Sequence, residues 1–237
     1  MTALPKLDLI LERTAAPITE LVTKFGGQPV WLRNPTWPLA PGTGEPMEFV
    51  AQVRLDPELF GNQQETMAYL FVADSVWSED TWDPDSGESA VVVQPGDLPA
   101  VPTVARREGP MLHHLCNERG GPEPAPAESC EFGALAIPGV DPAPVSTETV
   151  RRWNADPWLE YQEKAAGALG TPRGIKVGGD AYFYRDWPAE LPPDRWRLLL
   201  QIDGGLPFFL NLGTDGIGYV LIRNDLRAGV FFWERPG

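Results

Sequence analysis

The chain has 237 residues, 43% of them hydrophobic, and its 9 Trp, 10 Phe and 5 Tyr exclude a disordered polymer while 24 Gly and 26 Pro argue against a long-helix bundle. A formal charge of −14 and a pI near 4.5 set most of the surface against phosphate backbones and anionic bilayers. No apolar run approaches the roughly 18 residues of a spanning helix.

The first residues, Met1 to Lys6, carry no basic segment followed by an uninterrupted apolar stretch, because Asp8 and Glu12 interrupt Leu7 to Leu11. No secretion signal is read there. With Cys116 and Cys130 as the sole cysteines, a disulfide framework is not expected, which fits a cytoplasmic location. Pro17 to Phe25 places Pro at a first helical position, Ile18, Leu21, Val22 and Phe25 at helical spacing, and Gly26 as a stop, predicting a short amphipathic helix.

From Lys24 onward the chain repeats itself. Lys24-Phe25-Gly26-Gly27 returns as Lys176-Val177-Gly178-Gly179, and Trp37-Pro38 as Trp187-Pro188, at an offset of about 150 residues. Met47 to Val53 aligns with Trp196 to Ile202, and Ala68 to Val72 with Gly218 to Ile222; all four read as strands. Third strands follow at Ala90 to Gln94 and Val230 to Glu234. The expected fold class is α+β: two pseudo-repeated, mainly antiparallel β halves, about 24–94 and 176–234, packed together within one domain and accompanied by a few short helices. The crevice between the halves is then the default pocket. Gln52 and Gln201, at matching places in apolar strands, need hydrogen-bond partners, found either in neighbouring backbone or in a ligand held in that crevice.

Leu55 to Ala105 contains no Lys or Arg and ten acids. Its densest part, Asp74 to Glu88, holds Asp74, Glu79, Asp80, Asp83, Asp85 and Glu88 together with Trp77 and Trp82, in a segment that reads as a loop between strands. Carboxylates that steer a basic partner and indoles that anchor it make these eight residues the candidate partner-binding set; the alternative is a solvated acidic face whose indoles fold back on the core.

Residues 95–144 are rich in Pro and Gly, lack periodicity and read as an irregular insertion. The insertion holds His113, His114, Cys116 and Cys130, metal-ligand types whose spacing does not suit a zinc site, so no metal is expected. Linking helices are predicted at Ser146 to Trp153 and Asp156 to Leu169, the second capped by Asp156 and ended by Gly170, with Trp153, Trp158 and Tyr161 as core. Gly213 to Gly218 leads into a strand and reads as a hairpin turn rather than a phosphate cradle. No nucleophile elbow, phosphate loop, zinc-protease or dinucleotide signature occurs, so neither catalytic residues nor a cofactor are nominated and the chain reads as a non-enzyme.

The order K-x-G-G, W-P, a strand ending Gln-Val or Gln-Ile, and a Tyr-containing strand resembles the YwqG-like family of bacterial proteins, a domain of unknown function, with Phe49 to Val53 and Leu199 to Asp203 as its landmarks. The resemblance spans most of the chain and brings no catalytic residues. It implies the company of secreted polymorphic toxins, some members being similar to immunity proteins of type VI secretion effectors, nucleases included. The expected function is therefore a cytoplasmic antidote that occludes the groove of a basic nuclease effector and touches neither nucleic acid nor membrane. A small-ligand module using the crevice and an unrecognised enzyme are the alternatives.

Overall fold

A computed structural model describes residues 4–75, 80–112, 131–141, 147–159, 174–184, 188, 190–203 and 206–235. Its elements in chain order are β1 (Leu4–Arg13), β2 (Lys24–Gly26), β3 (Trp37–Pro38), β4 (Glu48–Arg54), α1 (Pro57–Phe60), β5 (Met67–Val72), β6 (Ser89–Gln94), β7 (Thr103–Val104), β8 (Glu131–Asp141), α2 (Thr147–Ala155), β9 (Lys176–Gly178), β10 (Trp196–Ile202), β11 (Ile217–Arg223) and β12 (Gly229–Glu234). The fold is mainly antiparallel β with short helices, and no helix among the described residues is long and apolar enough to cross a membrane.

Two sheets packed across a crevice are not what forms. Ten strands close one barrel in the order β1-β8-β2-β4-β5-β6-β12-β11-β10-β9, with β1 returning to pair with β9 through Lys6↔Gly178 to Asp8↔Lys176. Closure gives the outermost strand of each run a neighbour, whereas two separate sheets would have four edges to protect. Two long strands make the closure possible. β8 pairs with β1 from Phe132↔Arg13 to Asp141↔Leu4 and with β2 at Glu131 to Gly133, so each long strand spans the gap between the two four-strand runs. At the opposite seam, β6 meets β12 in register only at Val91↔Gly229.

Alternation along the strands divides the side chains between an interior and two outer layers. Phe25, Val53, Leu70, Val72, Val91, Val177, Ile202, Val220 and Phe231 fill the barrel. One outer layer packs Trp37 and Met47 over Phe49, Tyr69 and Phe71; the other packs Trp153, Tyr182, Phe183 and Tyr184 over Tyr219, Leu221 and Phe232. Strands covered on both faces must be apolar throughout, hence runs such as Ala68 to Val72. β4 and β10 share a register shift at the same point, between Phe49 and Ala51 and between Leu198 and Leu200. The bulge sends two successive residues inward, Val50 with Ala51 and Leu199 with Leu200, and turns Gln52 and Gln201 toward the outer layers.

Three local expectations change. No helix forms over 17–23, and Lys24–Gly26 is a strand, because carbonyls a helix would need internally are taken by buried side chains: Gln52 Nε2 donates to Val22 O at 2.8 Å and Lys24 Nζ to Ile18 O at 3.4 Å. The 95–144 insertion contains β7 and the eleven-residue β8, which is integral to the barrel. Of the indoles near α2, Trp153 is buried as expected, whereas Trp158 is 62% exposed. Asp156 does cap the following turn, its carboxylate accepting from Trp158 N at 3.1 Å; Tyr161 lies outside the described residues.

Candidate functional site

The repeated sequence landmarks converge on two polar ladders, each built across one four-strand run. Register places Lys24 opposite Gln52 and Gln52 opposite Tyr69; on the other side, Lys176 stands opposite Gln201 and Gln201 opposite Tyr219. All six are buried and face outward beneath a covering segment. In the first ladder, Lys24 Nζ donates to Gln28 O (2.7 Å), Gln52 Oε1 accepts from Val30 N (2.8 Å), and Tyr69 OH accepts from Leu32 N (2.7 Å) while donating to Val30 O (2.9 Å). Gln94 extends it, taking Arg33 N (3.0 Å) and giving to Asn34 O (2.8 Å). The second ladder repeats three of these bonds, Lys176 Nζ to Asp180 O (2.6 Å), Tyr182 N to Gln201 Oε1 (2.9 Å) and Tyr219 OH to Tyr182 O (2.5 Å), and adds Tyr184 N to Glu234 Oε2 (3.0 Å) where Leu32 N uses the Tyr69 hydroxyl. Side chains thus supply the hydrogen bonds that a neighbouring strand would give to residues 28–34 and 180–184. Gln52 and Gln201 serve this clamp and do not line a crevice; the backbone takes their amides because the bulges aim them at the outer layers.

Each ladder begins at a buried ion pair. Glu131 meets the Lys24 ammonium and also accepts from Ile18 N (3.1 Å), while Asp141 meets Lys176 (2.7 Å) and Lys6 (3.1 Å) and accepts from Asp180 N (2.8 Å). Burial pushes both Lys24 and Lys176 below the usual lysine range against the pull of their carboxylates. Gly26, Gly27, Gly178 and Gly179 all have positive φ, between 62° and 75°, which curls the chain around the ammonium. A Cβ on Gly27 or Gly179 would strike the carboxylate of Glu131 or Asp141. The K-x-G-G motif is therefore a holder for a buried charge, and burial removes these lysines from any reagent in solvent.

The acidic segment forms the β5–β6 connection. Its base is fixed by Ala73 N to Glu88 O (2.7 Å) and Ser75 N to Glu48 Oε2 (3.1 Å). It also grips the other run, through Asn211 N to Ser75 O (2.9 Å) and Trp233 Nε1 to Thr81 Oγ1 (2.9 Å). Asp74 and Glu88 are half-buried; Asp80 begins a 3-10 turn ending at Trp82, whose indole is 56% exposed. The Asp83 carboxylate accepts from Asp85 N at 2.9 Å, holding a turn, and Asp85 is exposed. Trp77 and Glu79 lie outside the described residues, as do His113, His114, Cys116 and Cys130; among the described residues no three metal-binding side chains gather.

Beside this loop runs a groove of about 400 Å³ along the β6–β12 seam, lined by Asp85, Ala90, Leu98, Trp196, Val230 and Asp97 among others. Sequence reading missed it because its walls come from three distant segments that only closure brings together. Arg223, the last residue of β11, stands at its far end and binds Asp97 (2.8 Å) and Asp225 (2.7 Å), and Arg227 of the following turn also binds Asp97 (3.0 Å). Arg227 and Arg223 hold the Asp97 carboxyl below its usual range, so this acid of the tract is already paired.

Residues 23–232 match the model of a family described as a domain of unknown function, DUF1963. No curated protein matches the chain.

Proposed function

We propose that this chain, which belongs to the DUF1963 family, is a cytoplasmic immunity protein of YwqG-like type that captures a basic secreted toxin, a nuclease effector of a type VI system, and covers its nucleic-acid groove. The supporting observation is the β5–β6 loop: six acids in fifteen residues with no Lys or Arg, rooted on both runs of the barrel and presenting the exposed indole of Trp82. A nuclease must display Lys and Arg to phosphates, so an anionic loop held in place competes for the same surface. A fixed root limits the ordering cost of binding, and an exposed Trp contributes large contact area at little conformational cost.

The test is kinetic binding to the effector encoded beside this gene. Asp80 and Asp85 are changed together to Lys, leaving Asp83 because its carboxylate supports the turn. The on-rate should fall roughly tenfold or more at low salt. Trp82→Ala should mainly raise the off-rate, with a loss of about 2 kcal/mol for a true anchor. Wild-type rates and intact toxin protection in both folded variants would remove the loop from the interface; a wild-type protein that binds no co-encoded effector would overturn the function.

A further inference from the structure

The two outer layers stop short of each other over the β6–β12 seam. One ends at the loop bearing Leu98 and Val101, the other at Trp196, and between them the outward faces of Ala90 and Val230 form the groove floor. Leu98 is 76% exposed on this wall, the largest exposure among the described large apolar side chains. The seam is joined by the register pair Val91↔Gly229, by Ser89 Oγ donating to Phe231 O at 3.3 Å and, just beyond β6, by Asp97 N donating to Arg227 O at 2.6 Å. The volume lies within the range of about 300–1,000 Å³ that ligand sites occupy.

Charge selects the occupant. At the Asp97 end, Arg223 and Arg227 are matched by Asp97 and Asp225, so that end is balanced. At the other end Asp85 carries the field of the acidic loop onto the groove margin. An aliphatic floor with the exposed carboxylate of Asp85 at one end fits a short extended peptide segment in which aliphatic side chains sit beside Lys or Arg.

We infer that the seam groove is the seat for such an aliphatic-basic segment of the protein partner, with Asp85 gripping its cation; this rests on the reading of the chain as a toxin-binding protein. The probe is an acetylated, amidated octapeptide of alternating Leu and Lys, compared with versions in which Glu replaces Lys or Ser replaces Leu, titrated into isotopically labelled full-length protein. The Leu-Lys peptide should shift the Trp196 indole resonance, assigned through Trp196→Phe, and bind at least tenfold more tightly than either control. Leu98→Ser, which removes the apolar wall, and Ala100→Trp, which fills the groove, should each weaken it about tenfold while leaving the melting temperature unchanged. Equal binding by wild type and both variants, or shifts confined to the acidic loop, would overturn the groove assignment. Equal binding of the Glu peptide would overturn its charge selectivity. Binding of the co-encoded effector separates the two readings. An effector that binds wild type and Ala100→Trp alike removes the groove and leaves the antidote standing; an effector that binds neither, while the peptide still occupies the groove, removes the antidote alone.

Discussion

Replacing Lys24 with Met takes away one ammonium and strands one carboxylate. Lys24 is fully buried, and its nitrogen is shared by Gln28 O, Ile18 O and Glu131, the last being 8% exposed. Removing one member of a buried pair costs about 3–5 kcal/mol, because the remaining charge keeps its desolvation penalty. Against a total stability of about 5–15 kcal/mol, that is a large fraction. At about 2–4 °C per kcal/mol for a chain of this size, the midpoint should drop by roughly 6–20 °C. Glu131→Gln in the same chain removes the stranded charge and keeps an acceptor for Ile18 N, so the double variant should recover at least about half of the loss. Urea unfolding and thermal melts, both followed by circular dichroism, measure wild type and the two variants. A Lys24→Met cost below about 1 kcal/mol, or costs that simply add in the double variant, would show that the pair is not what holds this corner of the barrel.

Tyr69→Phe should cost about 1–3 kcal/mol in the same assay, since Val30 O and Leu32 N both lose their partner beneath the outer layer. Gly179→Ala should destabilise by more than the roughly 1–2 kcal/mol of a left-handed residue, because its Cβ also meets the Asp141 carboxylate; Gly44→Ala, at the matching φ of 73° but with open space around it, separates the backbone part from the clash. In the interval between the lowered folded value of buried Lys24 and the ordinary lysine value of 10.5, the unfolded chain holds a proton that the folded chain has released. Unfolding free energy therefore rises with pH through that window, and the stability gap between wild type and Lys24→Met should widen there, read from melts at stepped alkaline pH.

The inner strands are legible in the sequence because β-branched and aromatic runs such as Tyr69 to Val72 and Val230 to Trp233 leave little else for the chain to do. The long strands are not. β8 carries Gly133, Pro138 and Gly139, which read as loop, and its strand character comes from ten residues of pairing with β1 rather than from its own propensities. β1 does carry a period-two signal, Leu7, Leu9 and Leu11 between Asp8, Ile10 and Glu12, hidden when the acids are read only as interruptions of an apolar run. Helical spacing over Ile18 to Phe25 misleads for the opposite reason: the pattern is local, while the competing bonds come from Gln52, thirty residues away from Val22. Lys24 and Lys176 are visible as repeats, but a lysine motif does not announce that its carboxylate sits on β8.

The exchange of long strands between the runs sets a timetable for synthesis. Ile10 pairs with Leu135, 125 positions later, and Lys6 with Gly178, later still. At about 5–20 residues per second on the ribosome, Ile10 waits roughly 6–25 s before its partner is even polymerised. Throughout that interval Leu7, Leu9 and Leu11 have neither neighbouring strand, and the first four-strand run has an uncovered margin at β2. The nascent chain must therefore carry an open sheet edge past the halfway point of translation, and the demand this places on chaperones falls on the polypeptide's first half, whose sequence is complete long before its fold can be.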